Sequence, residues 1–430
     1  MQSPAANPDA YTICYPLASS SFDMMIDQSA SSIAIASSLA AIQPSRIREL
    51  ADVAFGMEGV LKLHFGESNL PTPRLIQDAL VQAVAEGYTF YSENAGLPAL
   101  RTAIADKYAA LHQVALDPQR EVVVTASGVQ ALNLSIRCTL NPGDEALILT
   151  PNWPNGREIV RLYGATPVEV PYARVGDRFT PDFDALAAAI TPRTRLLLYT
   201  SPSNPLGWVA TQEEQQALLD FARQHNLWLL ADEVYERLYY EGEVSPSILR
   251  LCNRDDAVIA VQSFSKSYCM TGWRLGWVVA RRDLIEKATQ LNEFIVSHAP
   301  SMIQKAGEVA LRQGEDEVAA LLEQLRERRA FATNALAAVA RVQLPKPEGA
   351  FYLFPAIEGI TNSFDFCLQL LKTERVALAP GSAFGAGGEG SVRLCFASDM
   401  SVLEPAIERI CRFVEQYEEQ HEERNGNGRA

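Results

Sequence analysis

The amino-acid sequence predicts an α/β chain with two parts. One is a large unit built on a mostly parallel seven-stranded sheet covered by helices. The other is a smaller α/β unit made from the N-terminal segment and the C-terminal part. Three observations carry that expectation. Seven short apolar runs recur between residues 121 and 280. Most are separated by segments whose apolar residues return every three or four positions, as on one face of a helix. Small and polar residues follow directly on five of the runs, at the sheet end where open α/β folds hold their ligands.

The elements read as follows from the N-terminus. The first 45 residues contain no lysine or arginine and are rich in serine and alanine, which speaks against a secretory signal or an Arg-rich transit peptide. Residues 1–35 are expected to be extended or poorly ordered, and residues 36–71 to join the smaller unit. The large unit spans 72–300. PRLIQDALVQAVAEG and LPALRTAIADKYAAL open it with helical spacing. The runs EVVVTAS, EALILTP, TPVEVPY, RLLLYTSP, LWLLADE, VIAVQSFSK and LGWVVA then supply strands. ALNLSIRCTL, NGREIVRLYG and QEEQQALLDFARQH supply helices between them. Strands alternating with helices give a parallel sheet with both faces covered. Residues 301–424 complete the smaller unit, with FYLFP and VRLCFA as its strands.

Composition excludes several function classes. A chain of 430 residues, 48% hydrophobic and 21% charged, can bury a large core. A net charge of -15 argues against nucleic acid and anionic membrane surfaces as partners. Part of that charge lies in the acidic end Glu415–Glu423, which reads as a solvated helix tail. No apolar run reaches membrane-spanning length. Seven cysteines without a C-x-x-C pair and five scattered histidines give no metal site and fit a reducing compartment, the cytoplasm.

The five polar punctuations are Ser127-Gly128, Pro151-Asn152-Trp153, Ser203-Asn204-Pro205, Asp232-Glu233-Val234-Tyr235 and the segment Ser263–Lys266. Lys266 stands in SFSKSYCMTGWRLGW, which lacks the spacing of a nucleotide-binding P-loop. It is either a solvated loop lysine or a nucleophile whose amine forms a Schiff base. Asp232 is either a cap or ion-pair residue, or a carboxylate facing a protonated ring nitrogen. Small residues in TASGVQAL can present a helix N-terminus to a phosphate, to which Ser263 and Arg274 can add a hydroxyl and a guanidinium. Trp153 is core or stacks on a flat ring. Arg393 in SVRLCFA is structural or grips a carboxylate through two parallel hydrogen bonds. Together these features specify an aromatic aldehyde bearing a phosphate and a basic ring nitrogen, and a substrate carboxylate.

ASGVQAL, PNW, SPSNPLG, ADEVY, SFSKSYCMTGWRLG, PEGAFYLF and ALAPGSAFG…GSVRLCFA occur in one order between about residues 42 and 415. In these motifs the chain resembles the class I/II aminotransferases, pyridoxal 5'-phosphate enzymes of fold type I. The resemblance implies that Lys266 is the Schiff-base lysine. Asp232 then partners the pyridinium nitrogen, and Tyr235 and Asn204 meet the ring's 3-oxygen. It implies a phosphate cup of Ser127, Gly128, Val129, Ser263 and Arg274, with Trp153 stacked on the ring. Arg393 becomes the α-carboxylate clamp, with Gly66 of FGESN beside it and Asn204 touching the same carboxylate. Tyr91 matches a tyrosine that reaches the phosphate of a neighbouring subunit, so a homodimer with shared sites is implied. The reaction implied is amino transfer from an L-amino acid to a 2-oxo acid. Lyases and synthases of the same fold, acting at Cβ or Cγ, are the alternative.

The sequence departs from the family at SNPLG, where Leu206 replaces the usual threonine, and at FGESN for FGEPD. Val129 and the neighbourhood of Glu293 stand where some relatives carry the cation that reads a distal carboxylate. A neutral donor is therefore expected, with Arg157 of PNWPNGRE as an unassigned cation.

Overall fold

The computed structural model describes residues 39, 42 and 44–426, with side chains as far as Tyr417. The expected extended segment 1–35 lies outside the described residues. The seven runs form one sheet of β1 (Val122–Thr125), β2 (Glu145–Thr150), β3 (Thr166–Pro171), β4 (Thr194–Thr200), β5 (Trp228–Asp232), β6 (Val258–Ser263) and β7 (Gly276–Ala280). Their order across the sheet is β1-β7-β6-β5-β4-β2-β3, and β7 alone runs antiparallel to its neighbours. β3 carries Pro167 and Pro171, which a strand tolerates at a sheet edge, where donors need no partner.

Alternate residues of the strands point to opposite faces and enter two separate cores. Val122, Val124, Leu147, Leu149, Leu229 and Ala231 belong to one cluster. Val123, Ala146, Ile148, Leu230, Ile259 and Val261 belong to the other. Helix α1 (Pro98–His112) supplies Leu100, Ile104 and Tyr108 to the first. Helix α2 (Gly128–Thr139) and helix α3 (Arg282–Ile295) cover the second. Each buried aliphatic side chain contributes about 1.5–3 kcal/mol relative to exposure, so this double-sided packing fixes the strand register.

A further cluster forms around a three-stranded antiparallel sheet. Its strands are β8 (Tyr352–Leu353), β9 (Ala379–Pro380) and β10 (Val392–Cys395), with β10 in the middle. Helix α4 (Glu315–Ala337), helix Ser363–Glu374 and the C-terminal helix Met400–Gly426 pack on it. FYLFP thus yields a strand of only two residues. Helix Ser301–Gln313, expected with the smaller unit, buries Ala306 and Ala310 in the first sheet cluster. Leu61–Lys62 pairs in parallel with Val376–Ala377. The chain after it runs beside β10, where Cys395 donates its backbone N–H to Leu63.

Candidate active site

In register, Thr200 pairs with Asp232 and Asp232 with Val261, so β4 and β5 end level and β6 runs two residues further, to Ser263. A cavity of about 370 Å³ opens above them. From the sheet it is lined by Gly128, Val129, Trp153, Asn204, Asp232, Tyr235, Ser263, Lys266 and Arg274. Gly66 and Arg393 line it from the side of the smaller sheet. Two expected residues do not line it. Ser127 is buried at the N-terminus of α2, where its hydroxyl accepts from Gln130 N–H at 3.3 Å. Tyr91 is 90% exposed, its ring edge-on to His298.

Close packing brings β7, β6 and α2 together beneath the cavity. Gly276 pairs with both Ser263 and Thr125. A Cβ there would lie 2.6 Å from the Gln262 carbonyl oxygen and 2.7 Å from Gly128 N, so only glycine fits. The N-terminus of α2 therefore lies against Ser263, and its Gly128 and Val129 line the cavity, where a helix N-terminus favours an anion. Arg274 has φ 56°, left-handed for a non-glycine residue, and donates to the Thr271 carbonyl.

Lys266 is half-buried, and its Nζ donates to the Gly66 carbonyl oxygen at 2.5 Å. Loss of hydration pulls its pKa down to about 8. Asp232 is buried and makes no ion pair among the described residues. One oxygen accepts a long 3.4 Å bond from Val234 N–H. Burial pushes its pKa up to about 7. Tyr235 and Tyr352 share a 2.7 Å hydroxyl–hydroxyl bond. Arg393 is 2% exposed and donates to Asn204 Oδ1 at 2.9 Å and to the His64 carbonyl at 2.5 Å.

Several cavity residues escaped the sequence reading. His64 is fully buried with neither ring nitrogen hydrogen-bonded, and burial, with Arg393 next, pulls its pKa down to about 3. The ring is therefore neutral at pH 7. Arg48 lies at the exposed rim, over the Phe65 ring at 5.6 Å and without an ion-pair partner among the described residues. Its only signal was PSRIREL, a capped helix start at Ser45. Tyr352 was visible only as part of FYLFP. Of the three residues behind the donor expectation, Val129 lines the cavity and Glu293 and Arg157 do not. Glu293 accepts from Asn94 Nδ2 at 3.0 Å. Arg157 is bound by Glu158 at 3.1 Å and Glu169 at 3.0 Å, so it is not a free cation for the cavity.

The model of the family "Aminotransferase class I and II" matches residues 59–410. The chain is 35% identical to aromatic-amino-acid aminotransferase 2 of Thermococcus litoralis, over 88% of this chain and 97% of that protein. It is 34% identical to aspartate aminotransferase of Pyrococcus horikoshii, over 89% and 97%. The solved structure of the Rhizobium meliloti aspartate aminotransferase superposes with a TM-score of 0.84 at 31% identity, covering 89% of this chain and 99% of that one.

Proposed function

The chain belongs to the class I and II aminotransferase family, whose members use pyridoxal 5'-phosphate. On that premise we propose that it moves an amino group from an L-amino acid to a 2-oxo acid, with Lys266 as the lysine that carries the cofactor. One observation carries the reading. A half-buried amine of lowered pKa and a buried carboxyl without an ion pair among the described residues line the same cavity.

The residues present fit the cofactor. Asp232 is costly to ionise alone, and a protonated ring nitrogen would supply the missing partner. The α2 N-terminus, Ser263 and Arg274 offer N–H, hydroxyl and guanidinium groups to a phosphate. When bound, pyridoxal phosphate supplies an aldehyde carbon for attachment and a ring that draws electrons from the substrate's Cα. Lys266 Nζ, neutral in a larger fraction near pH 7 than an ordinary lysine, takes the proton from that Cα. Asp232 holds the proton on the ring nitrogen. Tyr235 would offer its hydroxyl to the ring's 3-oxygen, and Tyr352, which lines the same cavity, holds that hydroxyl at 2.7 Å. Trp153, which lines the cavity, would stack on the ring. Arg393, oriented by Asn204, receives the α-carboxylate.

The donor we propose is neutral, because Val129, Leu132, Ile47 and Phe65 make much of the cavity wall apolar. Arg48 at the rim supplies a cation for the longer dicarboxylic partner of the exchange. A homodimer is supported by Phe90, Tyr91 and Phe294, exposed at 80%, 90% and 84% on neighbouring segments. Amino transfer between small metabolites fits the cytoplasm.

The test is a half-reaction. Amino donor added alone should convert the bound aldehyde form to the amine form, with loss of its visible absorbance. Release of ammonia or of a side-chain fragment without that conversion would favour the lyase alternative.

A further inference from the structure

The turn after β5 reads Asp232-Glu233-Val234-Tyr235-Glu236-Arg237 and divides its side chains between two directions. Asp232, Val234 and Tyr235 line the cavity. Glu233, Glu236 and Arg237 are each at least 95% buried on the other side, and all three are tied to separate elements. Glu233 accepts from Ser247 Oγ and from Ile248 N–H, both at 2.8 Å. Arg237 meets Glu315, the first residue of α4, through two bonds of 2.6 Å. Glu236 touches Lys107 Nζ with one oxygen and holds His112 Nε2 at 3.1 Å with the other.

Lys107 and His112 both stand on α1, five residues apart, and both are more than 90% buried. Lys107 also lies over the rings of Tyr108 and Trp277, at 5.2 and 5.3 Å. A helix that covers the sheet thus invests two polar side chains in one carboxylate of the turn. Such a cluster is a weak source of net stability, because desolvating its charges offsets their attraction. It is a strong source of geometry, since removing one member leaves the others unsatisfied.

We propose that Glu236 is a positioning residue for the reaction, holding the Asp232–Tyr235 turn in place through Lys107 and His112. The inference rests on the cofactor-facing roles read for Asp232 and Tyr235. Neither Glu236 nor its partners touches the cavity, so they act only through the turn.

The experiment uses full-length holoenzyme of Glu236→Gln, of the double variant Lys107→Met/Glu236→Met, and of Asp232→Asn. The paired replacement removes both charges together and so avoids an orphaned buried ion. The induced visible circular dichroism per bound cofactor reports ring orientation, dilution gives the cofactor dissociation constant, and the thermal midpoint reports folding. Both Glu236 variants should change the induced signal and raise the dissociation constant about tenfold, the scale of supporting groups around other ligand sites. The thermal midpoint of the double variant should move little. A lowered midpoint with signal and affinity within twofold of the parent would overturn the inference and leave Glu236 a purely structural residue. If Asp232→Asn also leaves the signal and affinity unchanged, the reading of Asp232 has failed instead.

Discussion

Lys266 Nζ and the Gly66 carbonyl oxygen meet at 2.5 Å across 200 residues of sequence. The bond joins the end of the large sheet to the N-terminal strand segment that runs beside β10. It satisfies the amine without neutralising it, because a carbonyl carries no formal charge. Burial therefore dominates the titration of Lys266 and leaves it near 8 instead of 10.5.

The first prediction is kinetic. Only the neutral amine attacks an aldehyde, so attachment of added cofactor to the cofactor-free protein should accelerate through about pH 8. An ordinary lysine would place that rise near 10.5. Stopped-flow absorbance between pH 6 and 11 would locate the midpoint, and a midpoint near 10.5 would refute the lowered pKa.

The second concerns Asp232 and sets stability against activity. Its folded pKa of about 7 lies above the ordinary 3.8, so the folded state holds the proton more tightly. Stability should fall as pH rises from about 4 to 7, and the full cost persists above that. Asp232→Asn removes the cost. The cofactor-free variant should be more stable than the parent at pH 8, by up to about 4 kcal/mol, with no difference below pH 3.8. Turnover of the loaded variant should drop at least about a hundredfold. Near-normal turnover would reduce Asp232 to a structural residue.

The strands themselves and the rim that collects their polar ends were legible because those signals are local, whereas the order of the strands across the sheet was not. Each apolar run needed only its own seven or so residues to declare a strand, and the polar residues after it marked the end at which the cavity opens. What connects remote segments was not legible. Tyr235 and Tyr352 are 117 positions apart, and nothing near either announces their shared bond. Arg48 reads as an ordinary surface arginine of an amphipathic helix until that helix is seen at the cavity rim. Arg157 shows the reverse. Its pairing with Glu169 depends on β3 lying beside helix Asn155–Leu162, which no spacing reveals.

The third prediction separates substrates by Arg48. A charged hydrogen bond is worth about 1.5–3 kcal/mol, or roughly tenfold to a hundredfold in kcat/KM. Arg48→Gln should lose about that for glutamate and for its 2-oxo acid. Alanine, a branched-chain amino acid and phenylalanine should change less than twofold. In the parent enzyme these neutral donors should outperform aspartate, whose short side chain stays against the apolar wall. Equal losses across the panel would remove Arg48 from substrate recognition, and a tenfold lead for aspartate would refute the neutral donor.

The central claim is that Lys266 carries the cofactor, and one measurement addresses it directly. Borohydride reduction of the holoenzyme, proteolysis and mass mapping should find a phosphopyridoxyl group on the peptide containing SFSKSYCMTGWR, at Lys266. Lys266→Ala should carry no label there and lose several orders of magnitude in turnover, since attachment and proton transfer go together. A label on any other lysine, such as the buried Lys107, with Lys266 unmodified, would contradict the account.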